Sequence, residues 1–223
     1  MSFSGRRAGP VPRHGATTLV LVAIAALVTA CSGTGDAGRN AWPTPVFVEA
    51  ITQPPLGARE TAYDPPVPAP ALRLTDQDGR PFDLEDLRGQ PVLVYFGYTH
   101  CPDVCPTTLA DIRSGLKQSG VDARVIFVTI DPERDDAAAM KQYADYYQAG
   151  YIGLTGTPVE IAEAAAAWGV TYSRLPSESA SGYAMAHSTD TYLVDATGQL
   201  RHHVFFGAGA DVIAELVTDV TGP

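Results

Sequence analysis

Two runs of apolar residues stand out along the chain: Pro91-Val92-Leu93-Val94-Tyr95-Phe96, and Val125-Ile126-Phe127-Val128-Thr129-Ile130, polar only at Thr129. Short runs without polar alternation read as strands buried on both faces, the pattern of a parallel sheet. A helical segment follows each. After the first run it extends from about Thr107 to Gln118. After the second, the acid of Asp131-Pro132 caps a helix that runs through Tyr147, with the proline suited to its first turn. Upstream, Leu72-Arg73-Leu74 and Phe82-Asp83-Leu84 flank a turn at Asp78-Gly79 and predict an entry hairpin. Downstream, Tyr151 to Leu154 reads as a short strand, and Thr157-Pro158 opens an alanine-rich helix to Trp168. Thr191 to Val194 and Leu200 to Phe206 form a hairpin around Asp195-Ala196-Thr197-Gly198, and Ala210 to Val220 closes the chain as a helix. No internal repeat is evident.

A parallel β-α-β core followed by an antiparallel hairpin and a helix is the thioredoxin-like order, an α/β fold with a central mixed sheet flanked by helices. Residues 71–223 suit one such domain. Ahead of them, residues 31–70 turn to Gly, Ala and Pro, with Pro43, Pro45, Pro54, Pro55, Pro65, Pro66, Pro68 and Pro70. That composition predicts an extended, semi-stiff linker, interrupted by a small apolar group at Trp42, Val46, Phe47 and Val48. Residues 1–30 carry Arg6, Arg7 and Arg13, then an apolar stretch from Ala16 to Val28 that is short for a membrane span, then small residues. This is the plan of a secretion signal. Val28-Thr29-Ala30-Cys31 resembles a bacterial lipobox, which implies that Cys31 is acylated and begins the mature chain. The alternative is an uncleaved anchor helix. Both readings put the domain on the extracytoplasmic face of a bacterial membrane, tethered to it.

Charge narrows the partners. The chain has 15 Lys+Arg against 25 Asp+Glu, and the leader holds three of the arginines and no acid, so the mature form carries 12 against 25, a net −13. Nucleic acid, which is bound through clustered Lys and Arg, is excluded as a partner class.

With Cys31 assigned to a lipid, one cysteine pair remains: Cys101 and Cys105, in Phe96-Gly97-Tyr98-Thr99-His100-Cys101-Pro102-Asp103-Val104-Cys105-Pro106. Two thiols four residues apart make either a soft metal site or a redox pair that closes to a disulfide. They sit where a buried strand passes into a helix. Ligands collect beyond the carboxyl ends of such strands, and a helix amino terminus stabilises a thiolate and lowers its pKa. On a helix, positions i and i+4 share a face, so both sulfurs can meet one ion. Pro102, which lacks an N–H, suits the first turn and leaves Cys101 the more accessible thiol.

The cysteine segment, Thr129-Ile130-Asp131-Pro132-Glu133-Arg134-Asp135, Gly153-Leu154-Thr155-Gly156-Thr157-Pro158, and His187 ahead of Tyr192-Leu193-Val194-Asp195 together resemble the Sco/SenC family, over roughly Leu72 to the end. Members of that family are membrane-tethered, thioredoxin-fold copper chaperones for assembly of the dinuclear copper centre of cytochrome c oxidase. The resemblance implies that Cys101, Cys105 and His187 bind copper, Cu(I) or Cu(II), and that the partner is the copper-bearing oxidase subunit, whose cysteines the pair also stands ready to reduce. Relatives commonly carry Asp directly before the histidine, where this chain has Ala186. An acid there is expected to orient the imidazole, so its loss bears on Cu(II) affinity, with Asp190 as the candidate substitute.

Other residues are read more plainly. His100 is expected at the surface or just behind the ligands, and His202 and His203 as solvated or hydrogen-bonded strand histidines. Met185 is expected as a core or loop methionine and Asp131 as a helix cap. Asp103 is expected to tune the charge of the site or meet a partner, the alternative being simple exposure on the first turn. Two rival functions remain: a thiol-disulfide oxidoreductase without a metal, and a peroxiredoxin-like peroxidase with Cys101 as the peroxidatic thiol.

Overall fold

The two apolar runs form the central parallel pair of the sheet in the computed structural model, which describes residues 58–147, 151–176 and 182–221. The leader, Cys31 and the expected linker as far as residue 57 lie outside the described residues. The strands are β1 (Glu60–Pro68), β2 (Arg73–Asp76), β3 (Pro81–Asp83), β4 (Val92–Gly97), β5 (Arg124–Thr129), β6 (Tyr151–Thr155), β7 (Tyr172–Pro176), β8 (Tyr183–His187), β9 (Thr191–Val194) and β10 (Gln199–Val204). The helices are α1 (Val104–Ser119), α2 (Ala137–Tyr147), α3 (Pro158–Ala167) and α4 (Ala210–Asp219). Among the described residues, one mixed sheet runs β1-β10-β9-β4-β5-β6-β2-β3, and β7 pairs with β8 as a separate ribbon.

Every residue of β4 is buried, which is why its apolar run does not alternate. It lies parallel to β5, with Gly97 opposite Thr129, and antiparallel to β9. Tyr95, Gly97 and Phe127 project from one face of the sheet. There Gly97 lies against Cys105 of α1, and Phe127 stacks on Tyr143 of α2 at 4.8 Å between ring centroids. Phe96 projects from the other face, toward Trp168 at the end of α3. Gly115 of α1 lets Ile213 of α4 pack against the helix backbone, where a Cβ would come within 2.7 Å of that side chain.

The expected elements occur in the expected order, β1 and the β7–β8 ribbon are additions to it, and the differences have physical reasons. Glu60–Pro68, inside the segment read as linker, is an edge strand paired antiparallel with β10, with a register shift between Ala62 and Val67. Prolines are tolerated at a sheet edge, where half the backbone N–H groups need no partner. Helix α1 starts at Val104 rather than near Thr107. Pro106 falls in its first turn, where a missing N–H costs nothing. Helix α2 starts at Ala137 and not at Pro132, and its cap is Asp136, whose carboxylate accepts the Ala139 N–H at 2.8 Å. Asp131 is therefore no helix cap. Helix α3 opens as expected, with Pro158 in its first turn and a reciprocal capping box between Thr157 and Glu160.

Candidate metal centre

Strand β4 ends at Gly97, and four residues later the chain delivers Cys101 just ahead of α1. Cys105 lies in the first turn of that helix and is fully buried. Gly97 makes room for it: a Cβ there would stand 2.8 Å from the Cys105 Sγ. The Cys105 N–H donates to Cys101 Sγ at 3.3 Å, so this sulfur does the capping that Asp103, formally at the cap position, leaves undone. Neither cysteine is in a disulfide.

His187, the last residue of β8, brings its Nε2 to 3.7 Å from Cys105 Sγ. The two sulfurs and an imidazole nitrogen all lie within 4.8 Å of one another. The ring's other nitrogen, Nδ1, lies 2.6 Å from the Ser188 carbonyl oxygen. A carbonyl only accepts, so Nδ1 carries a proton, and Nε2 is the ring atom turned toward the sulfurs. Tyr98 and Tyr95 meet the imidazole edge-on, with centroids at 5.9 and 6.4 Å.

The two thiols differ in acidity. The hydrogen bond from the Cys105 thiol holds Cys101 well below the ordinary thiol range against the opposing effect of burial, helped by His187 and by the N–H groups of Cys105 and Asp103. Cys105 moves the other way, raised by its hydrogen bond to Cys101, by burial, and by the charge on its neighbour. The resting metal-free pair is thus a Cys101 thiolate accepting from a Cys105 thiol, with the helix amino terminus adding to the stabilisation.

The remaining candidates fall outside the triad. His100 is half exposed and bonds Thr99 Oγ1 at 3.0 Å. His202 meets Glu60 at 3.0 Å, and His203 meets Asp190 at 2.9 Å while stacking on Tyr192. Asp190 is thereby committed to His203 and does not substitute for an acid at 186. Nor would an acid at 186 reach the imidazole: successive strand residues face opposite ways, and Ala186 is exposed while Met185 is buried in the core. The Ser188 carbonyl performs the orienting task, a backbone contact with no side-chain signature in the sequence. Sequence reasoning also missed what Asp131 does. Fully buried, it takes Arg134 Nε at 2.5 Å and the Tyr183 hydroxyl at 2.7 Å.

A mixed sheet flanked by helices, with two thiols and an imidazole gathered beyond its central strand, makes this a thioredoxin-like protein with a candidate metal centre. The SCO1/SenC family model matches residues 64–222, and the chain belongs to that family. The mitochondrial SCO2 homologue of Mus musculus is 32% identical over 204 residues, which cover 86% of this chain and 76% of the relative. The copper-bound structure of Bradyrhizobium japonicum ScoI is 34% identical with a TM-score of 0.61, over 69% of this chain and 99% of that one. The copper-bound crystal structure of Arabidopsis thaliana ScoI is 30% identical with a TM-score of 0.64, over 68% and 96%.

Proposed function

We propose that this protein is a lipid-anchored, extracytoplasmic copper chaperone that carries one copper ion on Cys101, Cys105 and His187 and delivers it to the copper-bearing subunit of cytochrome c oxidase. The observation that carries this reading is the convergence of Cys101 Sγ, Cys105 Sγ and His187 Nε2 within 4.8 Å. Thiolates are soft donors that suit Cu(I), and an added imidazole suits Cu(II), so the set accepts both oxidation states. Three protein ligands leave coordination positions open, and an acceptor's ligand can enter there before these leave. Copper-bound relatives and family membership support the choice of metal, and the family resemblance supports the choice of acceptor.

The unequal acidity of the thiols favours a second use of the same pair. Without copper, the Cys101 thiolate attacks a disulfide of the acceptor, forming a mixed disulfide and releasing one acceptor thiolate, which takes up a proton. Cys105, losing its proton, then displaces the second acceptor sulfur and closes the Cys101–Cys105 disulfide. The acceptor gains two electrons and this pair loses two. Such a step would prepare the cysteines of a copper site to receive metal.

Anaerobic Cu(I) titration of the reduced protein tests the reading. Cys101→Ser and Cys105→Ser are each expected to abolish stable stoichiometric binding with the circular dichroism spectrum unchanged. Undiminished binding in either variant contradicts the assignment.

A further inference from the structure

The copper ligands arrive on two separate pieces of chain: Cys101 on the β4–α1 connection with Cys105 in the first turn of α1, and His187 on the β7–β8 ribbon, which lies outside the main sheet. A third piece touches both. In the turn after β5, Asp131 and Asp135 are fully buried, and each carboxylate reaches a different ligand-bearing segment. Asp135 accepts the Thr99 N–H at 2.9 Å, the Thr99 hydroxyl at 2.5 Å and the Thr129 hydroxyl at 2.7 Å, which ties down the chain two residues before Cys101. Asp131 accepts the Tyr183 hydroxyl at 2.7 Å.

Tyr183 is held more firmly than one bond implies. The Arg134 guanidinium lies 3.7 Å from its ring centroid, donates to its carbonyl oxygen at 3.1 Å and is itself paired with Asp131. The Arg174 guanidinium lies 3.9 Å from the same ring and pairs with Glu133 of the turn. Arg174 belongs to β7, where it stands opposite Met185 of β8, so both strands of the ribbon are fastened to one turn. Tyr183 and His187, four residues apart on one strand, share a face.

We propose that the turn from Asp131 to Asp135 is the frame that sets the distance between the nitrogen ligand and the sulfur ligands, with Tyr183, Asp131 and Asp135 as positioning residues. The inference rests on the reading of Cys101, Cys105 and His187 as one copper site. It deepens that reading by dividing the support: Asp135 holds the thiolate segment, and the Asp131–Arg134–Tyr183 cluster holds the imidazole segment. A two-part frame has a distinctive consequence. Loosening the Tyr183 side costs the copper ion its nitrogen ligand while leaving the dithiolate intact.

The test compares Tyr183→Phe with Asp135→Asn in the full chain. Tyr183→Phe removes only the hydroxyl and keeps the ring between its two guanidiniums, so the fold survives. In the metal-free protein, hydrogen exchange at the β8 amides is expected to quicken by about tenfold, the scale of a lost hydrogen bond to a charged group, with β4 and β5 unchanged. Cu(II) affinity is expected to fall by about tenfold with weakened nitrogen coupling in the spin-resonance spectrum, while Cu(I) affinity stays within about twofold, as for other residues that orient a metal ligand. Asp135→Asn is expected to quicken exchange at Thr99 and to weaken both oxidation states alike. Unchanged β8 exchange in Tyr183→Phe, or equal losses of Cu(I) and Cu(II), overturns the frame. If the wild-type protein binds Cu(II) without a nitrogen signature, the ligand assignment itself fails, and the metal-free exchange measurement still decides whether Tyr183 fixes the ribbon.

Discussion

At the scale of single residues, the site works by giving like groups unlike surroundings. Cys101 and Cys105 share a helix terminus, yet one sulfur accepts hydrogen bonds and the other donates and is fully buried. The depressed pKa of Cys101 has a definite sign for stability. The folded protein loses that proton more readily than the unfolded chain, so the thiolate's contribution to stability is fully present above the ordinary thiol pKa. It fades as pH falls toward the lower folded value. Two outcomes follow for the reduced, metal-free protein. Alkylation of Cys101 by iodoacetamide should stay nearly constant as pH drops from 8 to 6, where an unperturbed thiol would slow by roughly tenfold per unit. Cys105 should remain unlabelled over that range. A rate for Cys101 that falls in proportion to hydroxide contradicts the hydrogen-bonded thiolate. His187 shows the same economy. Its tautomer is set by the backbone carbonyl of Ser188, so this chain orients the ring with Ala186 beside it and needs no neighbouring acid.

At the scale of elements, the site depends on how closely α1 approaches the end of β4. The Gly97 position admits the Cys105 sulfur and the edge of Phe127 together, and a Cβ there would stand 2.8 Å from each. Gly97→Ala should therefore destabilise the domain by about 1–3 kcal/mol, the usual cost of overpacking, and should also weaken Cu(I) binding by moving Cys105. Chemical denaturation alongside Cu(I) titration checks both, and a variant with wild-type stability and affinity contradicts the close approach. Legibility in the sequence varied in the same way, element by element. β4 and β5 were readable because strands buried on both faces need unbroken apolar runs. β1 was not, because Pro65, Pro66 and Pro68 read as linker and only the edge position makes them acceptable. The β7–β8 ribbon went unread for the opposite reason. Ser173, Arg174 and Leu175 are all exposed, so no alternation marks the strand, and what fastens it is a set of Arg–Tyr and Arg–carboxylate contacts across the fold. The cysteines announced themselves by residue type and spacing. His187 lies 82 residues from Cys105 and was linked to it only by family resemblance, since no local pattern reports a contact made by tertiary structure.

At the scale of the whole molecule, the proposed reading sets a leader and a tether ahead of a copper-carrying domain. No helix among the described residues is long and apolar enough to cross a membrane. On the proposed reading, attachment rests on Cys31, so Cys31→Ala should leave the protein in the soluble extracytoplasmic fraction or unprocessed, as membrane fractionation and mass measurement would show. Unchanged attachment would favour the anchor-helix alternative. If the leader is removed as proposed, the chain carries a net −13 by sequence, which suits an acceptor with a basic face around its copper site and predicts a transfer rate that falls with salt.

The central claim is that one copper ion is held by sulfurs from one segment and nitrogen from another. The most direct measurement loads the reduced protein and its His187→Ala variant with Cu(I) and with Cu(II), reading affinity, thiolate-to-copper absorption and nitrogen coupling in the spin-resonance spectrum. The account predicts that His187→Ala keeps Cu(I) affinity within about threefold, loses the nitrogen signature, and binds Cu(II) at least about tenfold more weakly. A variant that retains both wild-type Cu(II) affinity and the nitrogen coupling would contradict it.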